Sequence, residues 1–180
     1  MARMISNSRE VGMVAPSSKQ LSRAMVRAAL QDRWRSDEVV IEIGPGTGCV
    51  TQALLAAGLP PERLICIEID PAFFQHMRTE FPQVRTIQGD AADLEHLLPE
   101  HRGKVAAVVS GLPLKNLSEC KRDAIWRSCG VMLKPLGRIS QFTYSLRPPK
   151  TPKGFVRNFV EFVLWNVPPA FVWSFQKSTT

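Results

Sequence analysis

The feature that most constrains this chain is an alternation of short apolar, β-branched runs with helix-like stretches between residues 38 and 144. Glu38–Ile43 (EVVIEI), Arg63–Ile69 (RLICIEI), Val84–Gln88, Lys104–Ser110 (KVAAVVS) and Arg138–Tyr144 (RISQFTY) read as five strands. Several are apolar nearly throughout, the mark of strands buried on both faces. The intervening stretches carry helix signals: a start at Asp70-Pro71, and a helix over Ser118–Leu133 whose end is marked by Pro135 and Gly137. Strand and helix in alternation predict a parallel sheet covered on both sides. Phe155–Trp165 and Ala170–Phe175 are consecutive β-like runs joined by Asn166-Val167-Pro168-Pro169, which predicts a closing antiparallel hairpin. The expected fold is α/β, doubly wound and mostly parallel: a seven-stranded Rossmann-like sheet with an antiparallel C-terminal strand.

Ahead of that domain (residues 37–180), residues 1–36 read as a basic amphipathic helical segment. A serine after Pro16, Ser17 or Ser18, suits the N-cap, and Leu21, Met25 and Ala28/Ala29 form an apolar stripe. Lys19, Arg23 and Arg27 recur every four residues on a separate face. Such a helix either lies in a membrane interface or covers the sheet, and the pattern fits both. Charge supports an anionic partner. The net +7 divides into +5 over residues 1–36, −4 over residues 37–130 and +6 over residues 131–180. Two basic ends flank an acidic middle, and the ends are expected to meet nucleic acid or a membrane surface.

Other classes are excluded on simple grounds. No apolar run approaches the roughly 18 residues a spanning helix needs, and Met1–Ser18 has no apolar core of a secretory signal. Cys49, Cys66, Cys120 and Cys129 lack metal-ligand spacing, so reduced thiols and no metal are expected.

The chemistry concentrates at Glu42-Ile43-Gly44-Pro45-Gly46-Thr47-Gly48, between the first strand and a helix. This is the carboxyl edge, where open α/β sheets bind ligands. Glu68, followed by Ile69, ends the second strand, where a carboxylate can accept both ribose hydroxyls of a nucleoside. Asp90, in Gly89-Asp90-Ala91-Ala92 after the third strand, can accept a bond from an adenine amino group. The glycine spacing is GxGxG, not the GxGxxG of dinucleotide sites. Glu42 is a poor neighbour for a pyrophosphate and suits a cofactor bearing an ammonium and a sulfonium. Together these residues resemble the class I S-adenosylmethionine (SAM) methyltransferases. The resemblance implies that Glu42, Gly44, Pro45, Gly46, Thr47, Gly48, Glu68, Ile69, Asp90, Ala91 and Ser110 hold SAM, with S-adenosylhomocysteine as product.

Two families share this start. The rRNA adenine dimethyltransferases end the fourth strand in Asn-Leu-Pro-Tyr, whereas this chain reads Ser110-Gly111-Leu112-Pro113-Leu114. Gly111 replaces the amide and Leu114 the aromatic, so base stacking and edge recognition are lost. Few residues follow the sheet, and the small C-terminal domain of that family is not expected. Val14-Ala15-Pro16-Ser17-Ser18, Ser110–Leu114, Gln141-Phe142-Thr143-Tyr144-Ser145, Leu146-Arg147-Pro148-Pro149 and Asn166–Ala170 more closely resemble bacterial phospholipid N-methyltransferases, over residues 12–176. That resemblance implies methylation of phosphatidylethanolamine, and of its mono- and dimethyl products, toward phosphatidylcholine. It implies a cytoplasmic monomer held peripherally on an anionic inner membrane surface, with a phospholipid and not nucleic acid as partner.

Positioning supplies most of the acceleration when an amine attacks a SAM methyl. The carbonyls of Ser110 and Gly111 are candidates for orienting the amine, with Gly111 leaving room for a growing headgroup. Leu112, Pro113, Tyr144 and Arg147 are candidates for holding the lipid. Tyr144, the single tyrosine, offers a hydroxyl or ring face to the amine or its cationic product, or else is a core residue. Arg147 can bind the lipid phosphate as a fork, or be a solvated loop charge. His76, His96 and His101 lie away from strand ends, and none is assigned as base. Arg147, Lys150, Lys153 and Arg157 around Pro148, Pro149 and Phe155 form a second candidate membrane contact. Phe159, Phe162, Trp165 and Trp173 read as hairpin core in preference to membrane anchors.

Overall fold

Strands buried on both faces need helices to cover them, and the chain supplies these between the strands. A computed structural model describes residues 18–30, 37–145, 149–166 and 168–179. The elements run α1 (Lys19–Leu30), β1 (Val39–Ile43), α2 (Cys49–Ala56), β2 (Leu64–Glu68), α3 (Pro71–Glu80) and β3 (Arg85–Gln88). There follow α4 (Leu94–Leu97), β4 (Val105–Ser110), α5 (Glu119–Met132), β5 (Leu133–Thr143), β6 (Phe155–Val163) and β7 (Ala170–Lys177). One seven-stranded sheet has the order β3-β2-β1-β4-β5-β7-β6. β1 to β5 pair in parallel, and β7 enters antiparallel between β5 and β6. The order reverses at β1, the switch point at which such sheets open a crevice.

Alternate residues divide the core in two. Val40, Cys66, Ala107, Val109, Phe142 and Val172 face α1 and α2. Ile41, Ile43, Ile65, Ile67, Val108, Ile139 and Phe175 face α4 and α5.

α1 resolves the choice that its sequence left open. Leu21, Ala24, Met25 and Ala28 are wholly buried against the sheet, and burial of a side chain like Leu21 or Met25 contributes roughly 1.5–3 kcal/mol. Its apolar stripe is therefore committed to the core and does not enter a membrane. Only Lys19, Gln20, Arg23 and Arg27 face outward. Ser18 caps the helix, its Oγ accepting from the Leu21 amide at 3.2 Å. Ser17, the alternative cap, lies outside the described residues, as do Arg147, Leu146, Pro148 and Val167.

β5 begins earlier than its sequence suggests. α5 ends at Met132 and the strand starts at Leu133, taking Pro135 and Gly137 into an irregular stretch where the pairing with β4 shifts register. Leu136 adopts a left-handed φ of 62° there. The proline and glycine mark a bulge, not a loop, because Leu133 already pairs with Val105.

Candidate cofactor and substrate site

The carboxyl ends of four strands are stitched together by backbone bonds. The Gly44 amide donates to the Ile67 carbonyl, the Gly111 amide to the Ile43 carbonyl and the Gly89 amide to the Glu68 carbonyl, each at 2.9 Å. The Gly44–Gly48 loop closes with a 2.9 Å bond from the Gly48 amide to the Pro45 carbonyl. Gly44 and Gly46 have φ of 67° and 56°, a region that side-chain-bearing residues rarely adopt. A methyl at Gly46 would meet nothing within 4 Å, so this turn borders open space.

Glu68 organises that loop. Its Oε2 accepts from the Gly46 amide at 3.1 Å and its Oε1 from the Asp70 amide at 3.0 Å. Each oxygen keeps a second acceptor site, as a ribose would need. Ile69, next in sequence, is 59% exposed despite its bulk, an apolar rim beside the carboxylate. Asp90 caps the turn at Ala91–Asp93, its Oδ1 accepting from the Ala92 amide at 2.9 Å while Lys121 pairs with Oδ2. Burial opposes its ionisation, but the bonds from Lys121 and Ala92 outweigh that and hold it below the usual carboxylate range. Lys121 is a partner that the sequence did not reveal, because it comes from α5.

Glu42 is wholly buried on the α2 side of the sheet. Thr51 Oγ1 donates to its Oε2 at 2.6 Å, and Cys66 Sγ lies 3.6 Å from the same oxygen. Oε1 has no partner. Burial pushes its pKa up to about 7; the bonds from Thr51 and Cys66 restrain the rise and the charge of Glu68 adds to it. A buried acid with an unpaired oxygen, an open glycine turn and an apolar rim together fit a cationic nucleoside cofactor.

The Ser110–Leu114 segment lies directly on this loop. A Cβ on Gly111 would sit 2.4 Å from the Gly44 carbonyl oxygen, a backbone atom. Gly111 is thus required by close approach of two backbones, which corrects the expectation that it makes room for a headgroup. Leu112 Cδ2 would meet a Cβ on Gly44 at 2.4 Å, so this side chain packs on the loop. Leu114 is buried in the α5-side core.

A residue missed in the sequence is Gln141, on β5 opposite Ser110. Its Nε2 donates to the carbonyls of Leu112 (3.0 Å) and Phe142 (2.8 Å). Two carbonyl acceptors fix the amide orientation, leaving Oε1 buried without a partner, like Ser110 Oγ. Only the pairing of β4 with β5 sets these two residues side by side.

A cleft of about 1150 Å³ opens beside these residues, between α5 and residues 149–155. Pro113, Leu114, Gln141 and Tyr144 line it, with Trp126 and Phe155. Tyr144 packs edge-on against Phe142 at 5.3 Å, with the Asn166 side chain near its hydroxyl. Burial raises its pKa, and the Asn166 side chain opposes that. None of the three histidines lines the cleft. Phe155, expected at an apolar membrane tip, instead packs on Trp126 at 6.0 Å, and Arg157 stacks over Trp173 at 4.8 Å. Among the described residues there is no metal-binding cluster, and no helix is long and apolar enough to cross a membrane.

Fold and site define a class: a Rossmann-like methyltransferase that uses SAM. Residues 40–137 match the family described as "Methyltransferase domain", and the chain belongs to it. It is 34% identical, over 89% of its length and 85% of the relative's, to an ornithine lipid N-methyltransferase from Singulisphaera acidiphila. It is 32% identical to ribosomal RNA small subunit methyltransferase A from Chlorobium chlorochromatii, over 44% of this chain and 29% of that one. The crystal structure of magnesium protoporphyrin IX methyltransferase from Synechocystis PCC 6803 with bound SAM superposes with a TM-score of 0.68. That match is 14% identical and covers 89% of this chain and 79% of that one, so it shows the fold.

Proposed function

We propose that this protein transfers a methyl group from SAM to the amine of a membrane lipid, with phosphatidylethanolamine and its mono- and dimethyl derivatives as substrates. The cleft carries this reading. Its lining includes Leu114, Trp126, Phe142 and Phe155, together with six cations, Lys115, Arg122, Arg127, Lys150, Lys153 and Lys177, against the carboxylates of Glu119 and Asp123. About 1150 Å³ exceeds the range of roughly 300–1,000 Å³ for ordinary small-ligand sites. A lining of apolar side chains with an excess of cations suits a molecule with acyl chains and an anionic headgroup.

When bound, SAM supplies an electrophilic sulfonium methyl: the S–C bond breaks, an N–C bond forms and S-adenosylhomocysteine remains. Glu42, Glu68 and Asp90 are the carboxylates that would hold the cofactor, with Ile69 and Ala91 beside its base. Gln141 fixes the Leu112 carbonyl, and thereby the segment that carries the Ser110 and Gly111 carbonyls toward the amine. Tyr144 lines the cleft and offers its ring face or its hydroxyl to the headgroup. The attacking amine must be neutral; its proton leaves to water or to an anionic group of the lipid.

The similarity to the ornithine lipid enzyme favours a second reading, in which the amine belongs to an ornithine headgroup. The test incubates the protein with methyl-labelled SAM and vesicles containing phosphatidylethanolamine, vesicles containing ornithine lipid, or undermethylated rRNA. Label in phosphatidylethanolamine is expected. Label in ornithine lipid alone selects the second reading, and label in RNA alone refutes both.

A further inference from the structure

The end of β6 and the turn after it present large apolar side chains to solvent, Phe162 packing one side of its ring on Phe171 at 4.8 Å. Trp165 is 80% exposed, Leu164 58% and Phe162 51%. Of the aromatics expected in the hairpin core, Trp173 is buried while Phe162 and Trp165 are exposed, and the Phe159 side chain lies outside the described residues. A monomer rarely exposes adjacent large apolar residues without using them. Gln20, Arg23 and Arg27 of α1 border a shallow groove with Leu164 and Trp165, where Arg27 pairs with Glu161. Lys19, one turn from Arg23, adds another outward cation.

Strand direction gives this patch its meaning. β6 runs parallel to β5, so the turn after Val163 lies at the same carboxyl edge as Ser110 and Thr143. Three strand spacings separate β6 from β4 in the sheet, about 14 Å. Asn166 ties the edge together: it is buried, its Oδ1 accepts from the Ser18 amide at 3.1 Å and its Nδ2 donates to the Pro168 carbonyl at 2.7 Å. The turn and the start of α1 are therefore held as one surface.

We propose that Phe162, Leu164 and Trp165, flanked by Lys19 and Arg23, dock this edge on an anionic lipid bilayer, so that headgroups meet the cleft. The proposal rests on the lipid reading above. An indole with aliphatic neighbours suits the boundary between headgroups and acyl chains, and the cations complement an anionic surface. Leu164 and Phe162 offer no hydrogen bonds to base edges, so the composition favours lipid over RNA.

The test compares the full chain with a Leu164→Ser/Trp165→Ser double variant and, separately, Arg23→Glu. Co-sedimentation uses vesicles of phosphatidylglycerol and phosphatidylcholine, each variant being checked for an unchanged melting temperature. The double variant is expected to lose vesicle affinity at least tenfold, because interfacial binding scales with apolar area inserted. Arg23→Glu is expected to weaken binding at low salt and to flatten its salt dependence. S-adenosylhomocysteine affinity, and methylation of the lipid dispersed in detergent micelles, should stay within twofold of wild type. Vesicle binding within twofold of wild type in the double variant overturns the proposal. So does a wild-type dimer that the double variant splits, or a loss of RNA binding in place of vesicle binding. If the double variant loses vesicle binding while neither lipid is methylated even in micelles, the docking surface stands and the substrate reading fails.

Discussion

Replacing Glu42 by Gln should make the protein more stable and the methyltransferase worse, and the trade should appear between pH 5 and 8. The folded carboxyl has a pKa of about 7 against an ordinary 4.5, because burial disfavours its charge. A tenfold displacement of a protonation equilibrium is worth about 1.4 kcal/mol, so this one corresponds to on the order of 3 kcal/mol. Between pH 4.5 and 7 the folded state binds this proton and the unfolded state does not. The contribution is therefore fully present below the unfolded value and is lost as pH rises through the folded one. Glutamine keeps an oxygen for Thr51 and carries no charge. Urea unfolding at fixed pH should show the two proteins within about 1 kcal/mol at pH 5, with the variant more stable by up to about 3 kcal/mol at pH 8. Distant titrating groups cancel in this difference. Cofactor binding should move the other way. A cation favours the carboxylate, so wild-type affinity for SAM should rise from pH 6 to 8 with proton release, measurable by calorimetry in buffers of different ionisation enthalpy. The variant should bind SAM more weakly without that pH dependence. A stability difference that is constant from pH 5 to 8 would refute the burial argument, and equal SAM affinity at pH 8 would refute the cofactor role.

The remaining predictions concern the segment above the loop. Gly111→Ala places a methyl 2.4 Å from the Gly44 carbonyl, and overpacking of this kind costs about 1–3 kcal/mol. A lowered melting temperature and weakened S-adenosylhomocysteine binding are expected; wild-type values for both would contradict the close approach. Gln141→Leu removes two hydrogen bonds, at about 0.5–1.5 kcal/mol each, while the Leu112 carbonyl keeps the Leu114 amide at 2.9 Å. If Gln141 positions the substrate segment, methylation should fall at least tenfold with cofactor affinity within threefold, whereas an equal fall in both would mean a structural role alone.

The alternation of strand and helix, and the acids at strand ends, were legible because each is local. A β-branched run reports its own burial, and a carboxylate after a strand reports its own edge. The bulge at Pro135–Gly137 was less legible: the same residues that end a helix can also bend a strand, and only pairing with Val105 decides between them. The contacts of Lys121, Gln141 and Asn166 were not legible because each acts on a partner at least 25 residues away. Their partners are set by sheet order, which periodicity does not encode.

The sequence by itself determined the doubly wound sheet, the glycine turn and the position of Glu42, Glu68 and Asp90, since strand and turn preferences act over a few residues. The tertiary structure decided what the basic ends do. An amphipathic helix has the same pattern on a membrane as on a sheet, and here α1 spends its apolar face on the core. The aromatic hairpin likewise could not announce its inside and outside. Insertion of β7 between β5 and β6 buries Trp173 and leaves Trp165 in the turn, exposed. Gly111 read as spare room in the chain; in the fold it is the point where two backbones touch.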